Sequence, residues 1–185
     1  MNKRHSTLLQ QAPPSQSLAD TWARICCEQA LLAVEQGCYG VGAVLITPQQ
    51  ELLCSAHNEV FKNGHYHSGG HAEMRLIDQL EQRYPTLNRS GLTLYVSLQP
   101  CLMCYARILL AGITHVHYLA PDKPGGFSGQ RLPAAWTELA ARTSIEQAQV
   151  NPYWINLAEQ AINTLQDRQA LRERVVEAWQ GATPV

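Results

Sequence analysis

No stretch of this chain approaches the roughly 20 apolar residues that a membrane-spanning helix requires. Lys3 and Arg4 near the start are not followed by the apolar segment of a secretory signal. The expectation is a soluble protein in the cytoplasm. A basic excess is also missing: 14 Lys and Arg stand against 15 Asp and Glu, a net charge of −1. This removes the simplest argument for nucleic-acid binding but leaves room for a local basic patch. A disulfide framework is not expected either. There are 6 cysteines, but 185 residues can build a core without covalent staples. Cys26, Cys27, Cys38 and Cys54 lie among apolar neighbours and read as buried thiols. Nothing in the chain repeats internally.

Three segments are expected. Residues 1–16, with Pro13-Pro14 and many Gln and Ser, read as a flexible tail. Residues 17–150 read as one domain. Residues 151–185 read as a helical extension packed on the domain or at a subunit interface, because the stripes Leu157, Ala161, Leu165 and Leu171, Val175, Val176, Trp179 must bury something. Within the domain, Ser17 caps a helix that Gly37 ends. The run 41–46 and the return 51–57 make a hairpin. After a Gly- and His-rich loop, helix 72–83, strand 92–98, helix 101–111 and strand 114–119 alternate. A helix over 134–142 and a strand over 144–150 follow the loop 121–133. This alternation predicts an α/β fold, a sheet with helices on both faces, whose last two strands can run parallel.

The chemistry falls in two short runs. His71-Ala72-Glu73 is followed about thirty positions later by Pro100-Cys101-Leu102-Met103-Cys104. One imidazole and two thiols are zinc ligands, and three protein ligands leave tetrahedral zinc an open position that a closed structural site lacks. Both runs fall where a strand or loop enters a helix. There the unpaired N–H groups and the helix dipole favour negative charge and help cysteines serve as thiolates. Pro100 suits a helix start. Cys101 and Cys104, three apart, face the same way on one turn. Glu73 sits beside the metal without having to bind it, placed to move protons. A closed Cys2His2 site is the competing composition, since His67 lies four before His71. Its order would be reversed relative to a zinc finger, its gap is long, and it gives Glu73 no role. Zinc lowers the pKa of a bound water. Hydrolytic deamination of an aminated heterocycle uses these parts, with Glu73 carrying protons to the ring nitrogen and the leaving ammonia.

These residues resemble the cytidine deaminase-like superfamily, in which zinc deaminases of bases carry H-x-E and P-C-x-x-C. The similarity runs from about Asp20 to Ile145. It includes Val41-Gly42-Ala43-Val44, Asn58, Ser97 to Cys104 and Leu109-Leu110-Ala111-Gly112-Ile113. The resemblance implies a three-layer α/β/α sandwich on a mixed five-stranded sheet. It also implies one zinc held by His71, Cys101 and Cys104, with Glu73 as proton shuttle and Asn58 hydrogen-bonded to the substrate ring. A homodimer or higher homo-oligomer is expected.

Two departures touch the pocket. Purine and tRNA enzymes of the family usually carry Asp-Pro-Thr before His-Ala-Glu, where this chain has Ser68-Gly69-Gly70, and Glu before Pro-Cys, where it has Gln99. These departures leave the metal chemistry intact and the identity of the base open; the near-neutral charge favours a zinc-dependent deaminase of a free nucleobase or small nucleoside, guanine- or cytosine-type, with a small molecule as partner over nucleic acid. tRNA adenosine or deoxycytidylate deamination is the alternative. A zinc-binding partner subunit is the non-enzymatic one, and the retained Glu73 counts against it. His65 and His67 read as solvated loop residues or as the pocket mouth, and His115 and His117 as structural or surface residues. Asp122, Lys123 and Phe127 lie in a loop where family members often contact substrate. Trp154 and Trp179 read as packing residues, with a C-terminal aromatic closing over the pocket as the other option.

Overall fold

Where the sequence suggests a tail, residues Lys3–Gln10 form a helix, α1. The computed structural model describes residues 3–127, 131–165 and 167–181; the rest of the predicted tail start, loop and C-terminus lies outside the described residues. Leu9 is buried in the main core, and the Tyr153 hydroxyl donates to the Leu8 carbonyl. His5 Nδ1 lies 3.0 Å from Glu35 of the next helix. The polar composition of residues 1–16 hid the few apolar contacts that hold this segment.

Helix α2 (Leu18–Glu35) starts on Ser17, whose hydroxyl accepts from the Asp20 N–H. Strand β1 (Gly42–Ile46) pairs antiparallel with β2 (Leu52–His57) and with β3 (Thr93–Leu98). β3 pairs parallel with β4 (His115–Ala120), and β4 with β5 (Ser144–Gln147). The sheet is mixed and five-stranded, in the order β2-β1-β3-β4-β5. β5 stops three residues short of the run expected from sequence.

Helix α3 (Ala72–Arg83) packs on β1, β2 and α4 (Leu102–Ala111), and α4 touches α5 (Ala134–Ala140). Helix α6 (Pro152–Asn163) packs with α2 over β3 and β4. β1 is buried at every residue, so both of its faces are covered, by α2 and by α3. At Gly42 a Cβ would come within 2.2 Å of the Cys26 carbonyl oxygen, which is how closely α2 lies on β1. α4 ends on Gly112 in the left-handed region, φ 72°.

Asn151 caps α6 with its side chain and donates its backbone N–H to Asp20 Oδ1 at 2.8 Å. Trp154 is fully buried. Burying an indole of roughly 200 Å² at ~25 cal/mol per Å² contributes about 5 kcal/mol. The last helix, α7 (Arg168–Gln180), starts on an Asp167 cap and buries Leu171 in a small cluster with Cys38, Val60 and Phe61. No described helix is long and apolar enough to cross a membrane.

Candidate metal and catalytic site

The loop before α3 closes on itself: Glu59 N donates to the Gly70 carbonyl at 2.7 Å and His67 N to the Val60 carbonyl at 2.8 Å. A Cβ at Gly70 would stand 2.8 Å from the Val60 nitrogen, so this crossing needs glycine. The closure delivers His71 as the N-cap of α3. Across the sheet, β3 hands the chain through Gln99 and Pro100 to Cys101, the N-cap of α4. Two helix starts thus converge on one point, as the residue pattern predicted.

His71 Nδ1 lies 3.7 Å from Cys101 Sγ and 3.5 Å from Cys104 Sγ. A tetrahedral zinc with bonds of about 2.0 Å to nitrogen and about 2.3 Å to sulfur sets those atoms about 3.5 Å apart. The donor set and its spacing therefore fit zinc, and these three residues form the metal-ligand group found among the described residues. His67 is exposed and outside it. Three ligands leave one coordination position open.

Glu73, the second residue of α3, is 3% exposed. Burial pushes its carboxyl above the ordinary carboxylate value, with His71 opposing. The Cys101 thiol is lowered to about 4, first by its hydrogen bond with Cys104 and then by His71, against burial. Cys104 moves the other way, raised first by that shared hydrogen bond and then by burial. Burial lowers His71, but the Cys101 hydrogen bond and the Glu73 charge outweigh it and the imidazole is raised.

His71, Glu73 and Cys101 open into a cavity of about 240 Å³ lined also by Asn58, Gln99, Ser68 and Asp122, with Cys104 buried behind them. Asn58 is buried; its Oδ1 accepts from Val60 N at 3.0 Å, which leaves the amide NH2 for another partner. Gln99 Oε1 accepts from the Asp122 N–H at 3.2 Å and so holds the loop after β4 against the helix start of α4. Both departures from the family pattern, Gln99 and Ser68, therefore face the pocket. Lys123 lies in an adjoining cavity, Phe127 packs on Tyr105 with ring centroids 4.6 Å apart, and His65 is solvent-exposed. His117 packs on Tyr95, Trp154 is core, and Trp179 is exposed.

One wall was not anticipated. Arg168, Arg172 and Val175 of α7 line the same cavity, with Tyr39, Tyr66 and Ile162. Their spacing, i, i+4 and i+7, marks one helix face. Arginines on a helix read from sequence as a solvated surface, and the spacing gains meaning only once the docking position of α7 is known.

Residues 16–120 match the family described as the cytidine and deoxycytidylate deaminase zinc-binding region, and the chain belongs to that family. A tRNA-specific adenosine deaminase of Bacillus subtilis (strain 168) is 37% identical over 102 residues, covering 55% of this chain and 62% of that protein. A tRNA-specific adenosine deaminase of Aquifex aeolicus (strain VF5) is 34% identical, covering 56% of this chain and 66% of that protein. The chain thus spans slightly less than two thirds of these relatives. A structure from a study of A-to-I editing by tRNA:A34 deaminases at the wobble position of transfer RNA superposes with a TM-score of 0.53 at 28% identity, covering 57% of this chain and 79% of that one.

These relatives overturn two expectations. The expected free nucleobase or small nucleoside substrate, with a small molecule favoured over nucleic acid as partner, runs against relatives that are named tRNA-specific adenosine deaminases. Net charge was the misleading quantity. It averages over the whole surface and says nothing of the groups around the pocket, where Arg168 is paired with Asp122 and Arg172 is left on the wall.

Proposed function

We propose that this chain is a zinc-dependent hydrolytic deaminase that converts adenosine to inosine in tRNA. The observation that carries the chemistry is the buried Glu73 carboxyl beside a three-ligand metal group in one cavity. The substrate follows from the tRNA-specific relatives. The cavity, at about 240 Å³, falls below the range of pockets for drug-sized ligands and suits one heterocycle. A base in a polynucleotide has to leave its stack to reach it.

Zinc, when held by His71, Cys101 and Cys104, supplies a water of lowered pKa. Glu73 takes a proton as water adds to the aminated ring carbon. It delivers that proton to the adjacent ring nitrogen, then takes the second proton from the added hydroxyl and passes it to the departing amine as the C–N bond breaks, so that water enters and ammonia leaves. Glu73 cycles between carboxylate, to accept each proton, and carboxylic acid, to deliver it. The Asn58 amide orients the ring by donating to it. A cytoplasmic location is part of this reading. So is a homo-oligomer, with exposed Leu102, Met103 and Leu110 on α4 as its apolar surface; sedimentation as a monomer at micromolar concentration would remove that part.

The test is inosine formation in a tRNA anticodon stem-loop with zinc-loaded protein. Turnover is expected in the wild type and a loss of at least about 100-fold in Glu73→Gln, at equal zinc content. Equal turnover by the variant would refute the assignment of Glu73, and absence of inosine in the wild type would refute the substrate.

A further inference from the structure

Arg172 is the cation of the pocket wall that has no carboxylate partner among the described residues. Its neighbours on α7 are all engaged. Arg168 Nη2 bonds both oxygens of Asp122, at 3.0 and 3.2 Å. Leu171 is buried. The Arg174 guanidinium lies 3.9 Å from the centre of the Phe61 ring and donates to the Gly37 carbonyl at 2.9 Å. The helix turn that carries Arg172 is therefore fastened on either side, while the Arg172 side chain is exposed at the cavity.

Charge in the cavity is arranged by depth. Glu73 is buried at the floor beside the metal group. Asp122 is matched by Arg168. What remains on the wall is the Arg172 guanidinium, a rigid fork of donors suited to phosphate oxygens. A neutral heterocycle has no use for it, whereas a nucleotide carries a phosphate within reach of its base.

We infer that Arg172 binds the phosphate adjoining the deaminated nucleotide, and so makes a phosphorylated substrate the preferred one. In choosing RNA as the source of that phosphate, the inference rests on the tRNA reading above. The residue lies beyond the 16–120 segment that defines the family, so this recognition belongs to the α7 extension of this chain. An adjoining cavity that shares Leu98, Asp122, Ile162 and Arg168 with the first, and includes Lys123, gives the flanking nucleotide a place to lie.

The experiment compares wild type, Arg172→Ala and Arg172→Lys on an anticodon stem-loop, on the same stem-loop with a neutral methylphosphonate on either side of the target, on adenosine 5′-monophosphate and deoxycytidylate, and on the unphosphorylated nucleosides. Stem-loop Kd by fluorescence anisotropy is read beside kcat and KM. Arg172→Ala is expected to weaken stem-loop binding about tenfold. It should also reduce the slope of log Kd against log salt by about 0.7, one single-strand phosphate. Arg172→Lys should recover part of the affinity, the loss should fall mainly on KM and Kd, and zinc content should stay unchanged. The methylphosphonate at the contacted position should cost the wild type the same factor and cost Arg172→Ala nothing more. Independent, multiplying losses, or an unchanged salt slope, would overturn the inference. If a mononucleotide is deaminated and the stem-loop is not, and Arg172→Ala raises KM for that mononucleotide alone, the phosphate assignment stands and the tRNA reading falls.

Discussion

Arg168→Ala is expected to loosen α7 while leaving the sheet intact. Arg168 is about a quarter exposed, at 23%, and the Asp122 side chain it meets is 7% exposed. Two opposite charges about 4 Å apart attract by about 4 kcal/mol at an effective dielectric of about 20. Removing one partner of a fully buried pair costs about 3–5 kcal/mol, because the other charge is stranded. Partial exposure of Arg168 and its desolvation reduce this, so about 2 kcal/mol is expected here. That loss raises the open fraction of α7 about 30-fold. Hydrogen exchange reads it directly: peptides from Arg168–Gln180 should exchange about 30-fold faster, and those from α6 and β1 should not change. In an Asp122→Asn background, Arg168→Ala should add less than about 0.5 kcal/mol, because no stranded charge remains. Exchange in α7 within twofold of the wild type, or an equal loss in both backgrounds, would refute the reasoning.

Three further outcomes follow from the site and the loop that feeds it. For Glu59, burial raises the carboxyl, but the hydrogen bond from Lys62 at 2.6 Å and the charge of Arg75 at 2.9 Å outweigh it and the pKa is lowered in the fold. Its stabilisation is therefore present above the ordinary carboxylate value of 4.5 and lost as pH falls through the lower folded value. Urea midpoints of wild type and Glu59→Gln should converge as pH falls through that window, and parallel profiles would count against the pairing. Cys104→Ser should lower zinc affinity at least about tenfold while the far-ultraviolet spectrum is kept, since the chain builds its core without metal; unfolding on chelation would contradict this. The Trp154 Nε1 has no hydrogen-bond partner among the described residues. Trp154→Phe should thus cost less than about 2 kcal/mol in denaturant unfolding, because the lost area is offset by removing a buried unpaired donor.

The sheet and the metal group were legible because each rests on local pattern. Alternating runs fix strands and helices, and His71, Cys101 and Cys104 carry a spacing that few other structures use. The place of Glu73 beside that group was legible for the same reason, while its proton-carrying role belongs to the proposal. Asn58 could be singled out only by resemblance: its Oδ1 accepts from Val60 N two residues on, as a turn asparagine does, and only its place on the cavity lining sets it apart. Arg168, Arg172 and Val175 were not legible, because they reach the cavity through the docking of a helix far along the chain. Residues 1–16 hid α1 because two buried positions, His5 and Leu9, supply the contacts that their composition did not suggest. The substrate class was misread from net charge, a sum that carries no position.

The cavity is assembled from two stretches of chain with separate chemical tasks. Residues 16–120 carry the parts that any hydrolytic deamination requires, and substitutions there are paid for in chemistry. Ile162, Arg168, Arg172 and Val175 come from the C-terminal helices and touch no metal ligand role. If Arg172 selects the substrate as inferred above, this division separates what is admitted from what reacts: a change on one face of α7 leaves His71, Glu73, Cys101 and Cys104 as they are. Libraries that diversify this face alone would explore substrate range on an unaltered catalytic base.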